Sequence, residues 1–183
     1  MTYIKQNDLL LSKLLEYYKN DNYENMDKML NIINGESRIS LRIVDWFATN
    51  YAKKHYTIYT LKDKESRFKV YNDYKLNLKS YSKKRFDPFC RWERINVPYK
   101  EGKYIQTTLG QLNFFKWAIQ NGVVKFIEDN YSSIEGDMNH RNSSSKNKSD
   151  TNLCKTRKKR EELSISATKS IKKEEVEITV EFK

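Results

Sequence analysis

The sequence predicts a mainly α-helical, compact domain at residues 1–131, followed by a disordered basic tail at residues 132–183. Apolar residues recur at helical spacing through most of the first part. Aromatic residues are concentrated there too, since Phe182 is the only Phe, Trp or Tyr beyond Tyr131. About 130 residues are enough to bury a core, whereas the tail lacks the large apolar side chains that would offset its ordering entropy.

The first elements follow in chain order. Residues 8–19 predict an amphipathic helix, and residues 23–34 predict a second helix that ends at Gly35, a position that glycine favours. Residues 38–54 predict a helix that is central rather than peripheral, because nearly all of this segment outside a narrow polar stripe is apolar. Residues 56–61 are rich in β-branched and aromatic side chains, which indicates a short strand.

The segment at residues 68–82 fits two periods, because its tyrosines repeat at helical spacing while part of it alternates like a strand. A helix is favoured, since Lys75, Lys79 and Lys83 would then share one face. Asp87 precedes a proline, and a residue in that position avoids the helical region. The sequence therefore predicts that this helix stops before Asp87.

The last part of the domain predicts a small β element within residues 86–106 and a helix at residues 107–122, capped by a threonine. One or two further helical turns are expected at residues 123–130. The helix at 107–122 also fits a helix-turn-helix variant that would present its polar residues to bases: Gln111, Asn113, Lys116, Gln120 and Asn121.

Positive charge is concentrated in the middle of the chain. The formal net charge is +11, and residues 38–103 hold 17 Lys and Arg against 7 Asp and Glu. A local excess of this size concentrates polyanions, which favours nucleic acid as the partner, although solubility alone is the alternative explanation. The tail adds a basic cluster at residues 155–160, a pattern of nuclear-localisation or nucleic-acid segments, with these basic residues: Lys155, Arg157, Lys158, Lys159 and Arg160.

The stretch from Phe86 to Ile95 reads FDPFCRWERI and combines aromatic, acidic, basic and thiol side chains. Phosphate contacts are expected from the basic residues in and before it: Lys83, Lys84, Arg85, Arg91 and Arg94. Stacking faces or a partner surface are expected from four aromatic residues: Phe89, Trp92, Phe114 and Trp117. The alternative is that aromatic residues of this stretch belong to the core. For Phe114 and Trp117, packing in a second core layer is favoured over an exposed patch.

Catalysis is not expected from this sequence. A Cys90 nucleophile would need a base, usually histidine, and the two histidines are His55 and His140, the second in the tail. There is no Cys–x–x–Cys pair or Cys/His cluster, so neither a metal nor another cofactor is expected. No small-molecule substrate is evident. No apolar run approaches the roughly 18 residues of a membrane span, so no membrane association is expected either.

Three segments resemble a known family: SRISLRIVDWFATNYAKK, FKVYNDYKLNLKSYSKKRFDPFCRWERI and TTLGQLNFFKWAIQNGVV. They resemble a little-characterised family of small proteins from nucleocytoplasmic large DNA viruses, of the mimivirus and phycodnavirus kind. The resemblance covers about residues 37–130, and FDPFCRWERI and TTLGQLNFF are its most specific parts. It implies a viral setting, either a replication factory in the host cytoplasm or the virion, and it implies no activity. Apart from the resemblance, the basic cluster at residues 155–160 makes the nucleus a further location.

The sequence thus predicts a non-catalytic basic viral protein that binds nucleic acid, with DNA as the first candidate. The alternative is a structural or scaffold protein of the viral factory or particle, which self-associates or binds a viral protein. In that case the aromatic residues would form the partner surface. The alternating apolar residues at 176–182 could then add as a strand to the sheet edge of another protein.

Overall fold

The computed structural model describes residues 6–61, 66–90, 92–147 and 173–174. Its helices are α1 Gln6–Asn20, α2 Glu24–Asn34, α3 Leu41–Trp46, α4 Ala52–Lys54, α5 Val70–Phe86, α6 Leu109–Gln120, α7 Val123–Asp129 and α8 Tyr131–Asn147. Its strands are β1 Ile58–Thr60, β2 Arg67–Lys69, β3 Arg94–Pro98, β4 Tyr104–Thr108 and β5 Lys173–Glu174. The predicted fold class, a mainly helical domain with a small β element, is confirmed.

The strands form two small antiparallel sheets. β1 pairs with β2, and the other sheet has the order β3-β4-β5. Both predicted β segments are confirmed, because β1 lies within residues 56–61 and most of the β3–β4 hairpin lies within residues 86–106. The hairpin leads directly into α6, whose first turn is capped by the Thr108 hydroxyl accepting from the Gln111 amide.

Helix α6 occupies the centre of the domain and packs against α1, α2, α5, α7 and β4. Both of its faces are buried, including Leu112, Phe114, Phe115 and Ala118. The segment at residues 38–54 is also largely buried, through Ile43, Val44, Phe47 and Ala48, and it packs against α5, α7 and α8. Its wide apolar face predicted a central rather than a peripheral position, and this is confirmed.

The segment at residues 41–54 is interrupted by a π-helical turn, Phe47–Tyr51. The Ala52 amide donates to the Phe47 carbonyl five residues earlier, so the following turn carries one more residue than an α-helix would. This extra residue rotates the end of the helix relative to its beginning. In the turn that follows, the Lys53 ammonium lies 5.7 Å from the ring centroid of Tyr71 in α5.

Helix α5 ends as the sequence predicted, since Asp87 is extended with φ −80° and ψ 118°. One turn earlier the helix is kinked at Ser82, which has φ 64° and ψ 166°. These angles belong to a region that only glycine visits readily, so Ser82 is strained. The kink sets the direction of the short turn that carries Lys83 and Lys84.

The domain continues past residue 131, so the predicted boundary with the tail is too early. Helix α8 buries Ile134 and Met138 against the core. Its Asp137 accepts hydrogen bonds from the Trp46 indole, at 3.2 Å, and from the Lys54 ammonium. The sequence did not predict this helix as part of the domain, because Ile134 and Met138 are only two apolar residues, one helical turn apart, in a polar segment. Apart from β5 at Lys173–Glu174, the rest of the tail, for which disorder was predicted, lies outside the described residues.

Candidate nucleic-acid interface

The stretch FDPFCRWERI begins in the core. Phe86 is fully buried, with its ring centroid 5.8 Å from that of Phe114 and 5.7 Å from that of Trp117. Tyr81 stacks on Phe86 from the preceding turn, with 6.1 Å between centroids. Aromatic packing of this kind fixes the end of α5 against α6.

The next residues form a tight turn that leads the chain out of the core. Pro88 is buried, and the Asp87 carboxylate accepts a hydrogen bond from the Phe89 amide at 2.9 Å. The Phe89 side chain is half-buried and packs against the core. Phe89 therefore belongs more to the wall of the domain than to an open stacking surface.

Phe114 and Trp117 do not form a stacking or partner surface, because their side chains are 0% and 6% exposed. The Trp117 indole donates to Asp73 at 2.6 Å, which ties α6 to α5. The favoured interpretation of a second core layer is therefore confirmed, and the exposed patch was wrong. Two of the five predicted base readers, Gln111 and Asn113, are buried and cannot contact bases, whereas Gln120 is exposed and Lys116 and Asn121 are half-buried.

Trp92 is the aromatic residue of the stretch that faces solvent, with 38% of its surface exposed. The Lys84 ammonium lies 3.6 Å from its ring centroid, well inside the range of a cation–π contact. Lys83 is exposed beside Lys84 in the chain. The last turn of α5 and the segment before β3 thus place a positive charge against a solvent-exposed indole.

The other residues predicted to contact phosphate differ in their exposure and in their hydrogen bonds. Arg85 is half-buried and holds α1, because its guanidinium donates to Asn7 at 2.8 Å and to Gln6 at 3.3 Å. It is therefore an interhelix contact, which uses two of its five N–H donors. Arg94 is exposed on β3 and donates to Gln106 at 3.3 Å. Arg91 and the basic cluster at residues 155–160 lie outside the described residues.

The β3–β4 hairpin extends this surface beyond what the sequence indicated. On β3, Arg94 and Asn96 are exposed, while the intervening Ile95 packs inward. On β4, Tyr104 is 40% exposed and Gln106 is half-buried. We name this surface the Trp92–Tyr104 face and define it by its residues: Lys83, Lys84, Trp92, Arg94, Asn96, Tyr104 and Gln106. Side chains of a strand alternate between its two faces, and this alternation along residues 94–98 and 104–106 could have revealed the three hairpin members that sequence reasoning missed: Asn96, Tyr104 and Gln106.

The tip of the hairpin is anchored on α2. The Tyr99 hydroxyl donates to the Asp27 carboxylate, and the Lys100 ammonium lies 2.5 Å from the other Asp27 oxygen. Burial, together with this hydrogen bond and the nearby negative charge, raises the pKa of Tyr99 to about 12. Tyr99 therefore stays a neutral hydrogen-bond donor at physiological pH. The hairpin is held at its tip by α2 and at its other end by α6, into which β4 continues.

Among the described residues, Cys90, His55 and His140 lie in separate parts of the fold. The His55 ring lies 4.2 Å from that of Tyr51, and its Nε2 is 3.8 Å from Asp137. Cys90 is partly buried in the turn after α5, and His140 is exposed on α8. Among the described residues, no group of three or more His, Cys, Asp or Glu is placed to hold a metal ion. In the same part of the chain, no helix is long and apolar enough to span a membrane.

Comparison with known proteins places the chain in a family. A model of a family of unknown function, DUF7197, matches residues 2–180, so the chain belongs to that family. The match includes α1, α2 and the tail, and is wider than the resemblance at residues 37–130 had indicated. An uncharacterised protein of Acanthamoeba polyphaga mimivirus is 45% identical over 127 residues, which are 66% of this chain and 49% of the relative.

The mimivirus relative confirms the resemblance to a little-characterised giant-virus family and supports a viral origin. This chain spans about half the length of that relative. No solved structure matches the chain.

Proposed function

We propose that this protein is a non-catalytic nucleic-acid-binding protein of a large DNA virus, with viral DNA as the first candidate ligand. The observation that carries the proposal is the contact of Lys84 with the exposed indole of Trp92, 3.6 Å from ammonium to ring centroid. Two more exposed cations, Lys83 and Arg94, are close to these residues in the chain. Phosphate and base contacts need these two kinds of group next to each other.

The charge distribution supports a polyanionic ligand. Lys83 makes no ion pair with another described residue, and the Lys84 ammonium contacts an aromatic face instead of a carboxylate. Such cations remain available to phosphates and release counterions when they bind them. Glu93 is an exposed acid within the same stretch and opposes this attraction, so the face is not uniformly basic. The replication factory or the virion is the corresponding proposed location.

Fluorescence anisotropy of the full chain with labelled DNA and RNA at physiological salt tests the proposal. Replacing Lys83, Lys84 and Arg94 by alanine should weaken binding at least tenfold, because each cation that meets a phosphate supplies a share of the electrostatic free energy. Lys13, Lys19 and Lys125 are exposed on α1 and α7, and their triple alanine variant is the control with the same charge change. Equal effects of the two variants on affinity would contradict a specific role for the face.

The tail must be separated from the face in this experiment, because residues 155–160 could bind polyanions without the domain. A full-length variant with these basic residues replaced by glutamine provides the background. If the face binds, replacing its three cations should weaken binding in this background as well. If only the tail binds, the glutamine background alone should abolish it, and the proposed role of the domain would be wrong.

A scaffold function is the second candidate, and a different observation favours it. β5, Lys173–Glu174, pairs with Tyr104 and Ile105 along the edge of β4 that faces away from β3. That edge therefore accepts an added strand, which is a common mode of protein–protein contact. Light scattering after size-exclusion chromatography would compare the full chain with a variant that ends at residue 172. Oligomers that form without nucleic acid and depend on residues 173–183 would favour the scaffold.

A further inference from the structure

We infer that the ligand of the Trp92–Tyr104 face is single-stranded, and that its bases lie across the outer side of the β3–β4 hairpin. This inference rests on the proposed function and narrows it to one class of nucleic acid. It comes from the order in which aromatic, amide and guanidinium side chains follow one another along the hairpin.

The pairing of the strands defines the order of these groups. Arg94 is opposite Thr108, Asn96 is opposite Gln106, and Pro98 is opposite Tyr104. Trp92 precedes the strand at one end, and Tyr104 lies at the other. β3 begins at Arg94, two residues after Trp92, so the chain from Trp92 to Pro98 spans at most about 20 Å at about 3.3 Å per residue. A guanidinium and two side-chain amides fill the interval.

Exposed aromatic residues at both ends favour unpaired bases. In a duplex the faces of the bases are covered by their neighbours, so an indole on a protein surface gains little from them. In a single strand the bases can stack on aromatic side chains, and their edges are open to amides and guanidinium groups. A span of about 20 Å accommodates several nucleotides, in the lower part of the range of roughly 4 to 16 known for single-strand-binding domains.

Asn96 and Gln106 provide side-chain amides that can form hydrogen bonds with the edges of bases. Asn96 is exposed directly opposite Gln106, and cross-strand neighbours of this kind have Cβ atoms about 5 Å apart. Gln106 already accepts a hydrogen bond from Arg94 through Oε1, which leaves its amide NH₂ as a donor. The row therefore presents donors and acceptors between the two aromatic ends, whereas a purely phosphate-binding face would present cations alone.

Lys84 determines how a base can reach Trp92. Its ammonium covers one face of the indole at 3.6 Å. A base therefore stacks on the other face, with Lys84 free to meet a phosphate, or it displaces the ammonium. In both cases the environment of the indole changes when a base binds.

Intrinsic tryptophan fluorescence can measure this change. Trp46 and Trp117 are each 6% exposed and Trp92 is 38% exposed, so quenching by an added oligonucleotide reports mainly on Trp92. The experiment titrates the full chain with a single-stranded oligonucleotide and with the duplex of the same sequence. We expect tighter binding of the single strand, by about tenfold, which is the effect of one stacked base, and quenching that disappears in Trp92→Phe or Trp92→Ala.

The variants separate stacking from charge. Trp92→Ala and Tyr104→Ala should each weaken single-strand binding about tenfold and duplex binding little, while Trp92→Phe should retain much of the affinity. Tyr56→Ala is the control, because Tyr56 is 84% exposed and lies outside the face. Binding of the duplex as tightly as the single strand, without quenching, would overturn this inference and leave the proposed function intact. Absence of binding to either would overturn both.

Discussion

A Cβ atom on Gly110 would lie 2.7 Å from the carbonyl oxygen of Asp87 and 3.4 Å from that of Lys84. The first turn of α6 and the last turn of α5 therefore meet backbone to backbone. Only glycine allows this approach, because real Cβ atoms do not come so close to another atom. The contact fixes the position of the turn that carries Lys83 and Lys84, and so it links the core to the Trp92–Tyr104 face.

Gly110→Ala should destabilise the fold, because both opposing atoms belong to the backbone and cannot move aside by changing rotamer. Overpacking of this kind costs about 1–3 kcal/mol, to be measured as the free energy of unfolding in urea. Gly136→Ala in α8 is the control, since no atom lies within 4 Å of the added Cβ. It should be neutral or stabilising by up to about 1 kcal/mol, as alanine is the better helix former. Equal effects at the two sites would contradict the close approach.

Ser82→Gly should stabilise the protein, because the kink holds Ser82 at φ 64° and ψ 166°. Releasing this strain is worth of order 1–3 kcal/mol, partly offset by the greater backbone entropy of glycine in the unfolded chain. Ser80→Gly is the matched control, since Ser80 lies within the regular part of α5 and should lose about 0.5–1 kcal/mol. Thermal denaturation of the two variants distinguishes them by the sign of the change in Tm. A lower Tm for both would show that Ser82 is not strained.

Phe86→Ala and Trp92→Ala should differ sharply in stability, although both residues belong to the same ten-residue stretch. Phe86 is fully buried among Tyr74, Tyr81, Phe114 and Trp117. Its truncation leaves a cavity that costs about 3–5 kcal/mol. Trp92 is exposed, so its truncation should cost less than about 1 kcal/mol. Chemical denaturation of both variants tests the division of this stretch into core and surface, and similar costs would contradict it.

The helices and their ends could be predicted from the sequence because their signals are local. Thr108 caps α6, Gly35 ends α2 in a left-handed conformation, and Asp87 stops α5 before its proline. Each of these residues acts on backbone groups within four positions. The same is true of the strand at residues 58–60, whose composition alone indicated it.

The features that sequence reasoning missed depend on distant contacts. α8 is held through Asp137, whose partners Trp46 and Lys54 are more than 80 residues away in the chain. The burial of Gln111 and Asn113 likewise depends on partners, since Asn113 donates to the Arg85 carbonyl at 2.9 Å. The site was predicted in part: Lys83, Lys84, Trp92 and Arg94 are exposed, whereas the side chain of Arg85 turns to α1.

Asp137→Asn should lower stability at neutral pH but not in acid. The burial of Asp137 raises its pKa, but hydrogen bonds from Lys54 and Trp46 and the charges of Lys54 and His55 outweigh this, so that its pKa lies below the usual value. A carboxyl with a depressed pKa stabilises the fold above its unfolded pKa, near 4. This contribution disappears as the pH falls through the folded value.

The Tm of wild type and Asp137→Asn, measured from pH 7 down to pH 3, tests this dependence. At neutral pH the variant should lose about 1 kcal/mol, a modest value because Lys54 is largely exposed to solvent. The two curves should converge in acid. Asp129→Asn, at an exposed position of α7, should follow wild type throughout. A constant gap between wild type and Asp137→Asn would contradict a role for the ionised carboxylate.

The central claim is that the Trp92–Tyr104 face binds phosphates. The salt dependence of nucleic-acid binding tests this claim most directly. The logarithm of the association constant is plotted against the logarithm of the salt concentration for wild type and for the variant lacking Lys83, Lys84 and Arg94, both with the residue 155–160 cluster neutralised. The slope should become shallower by roughly 0.7 for each phosphate of a single strand that the variant no longer neutralises, about 2 in total. An unchanged slope and affinity would show that these cations do not contact the ligand.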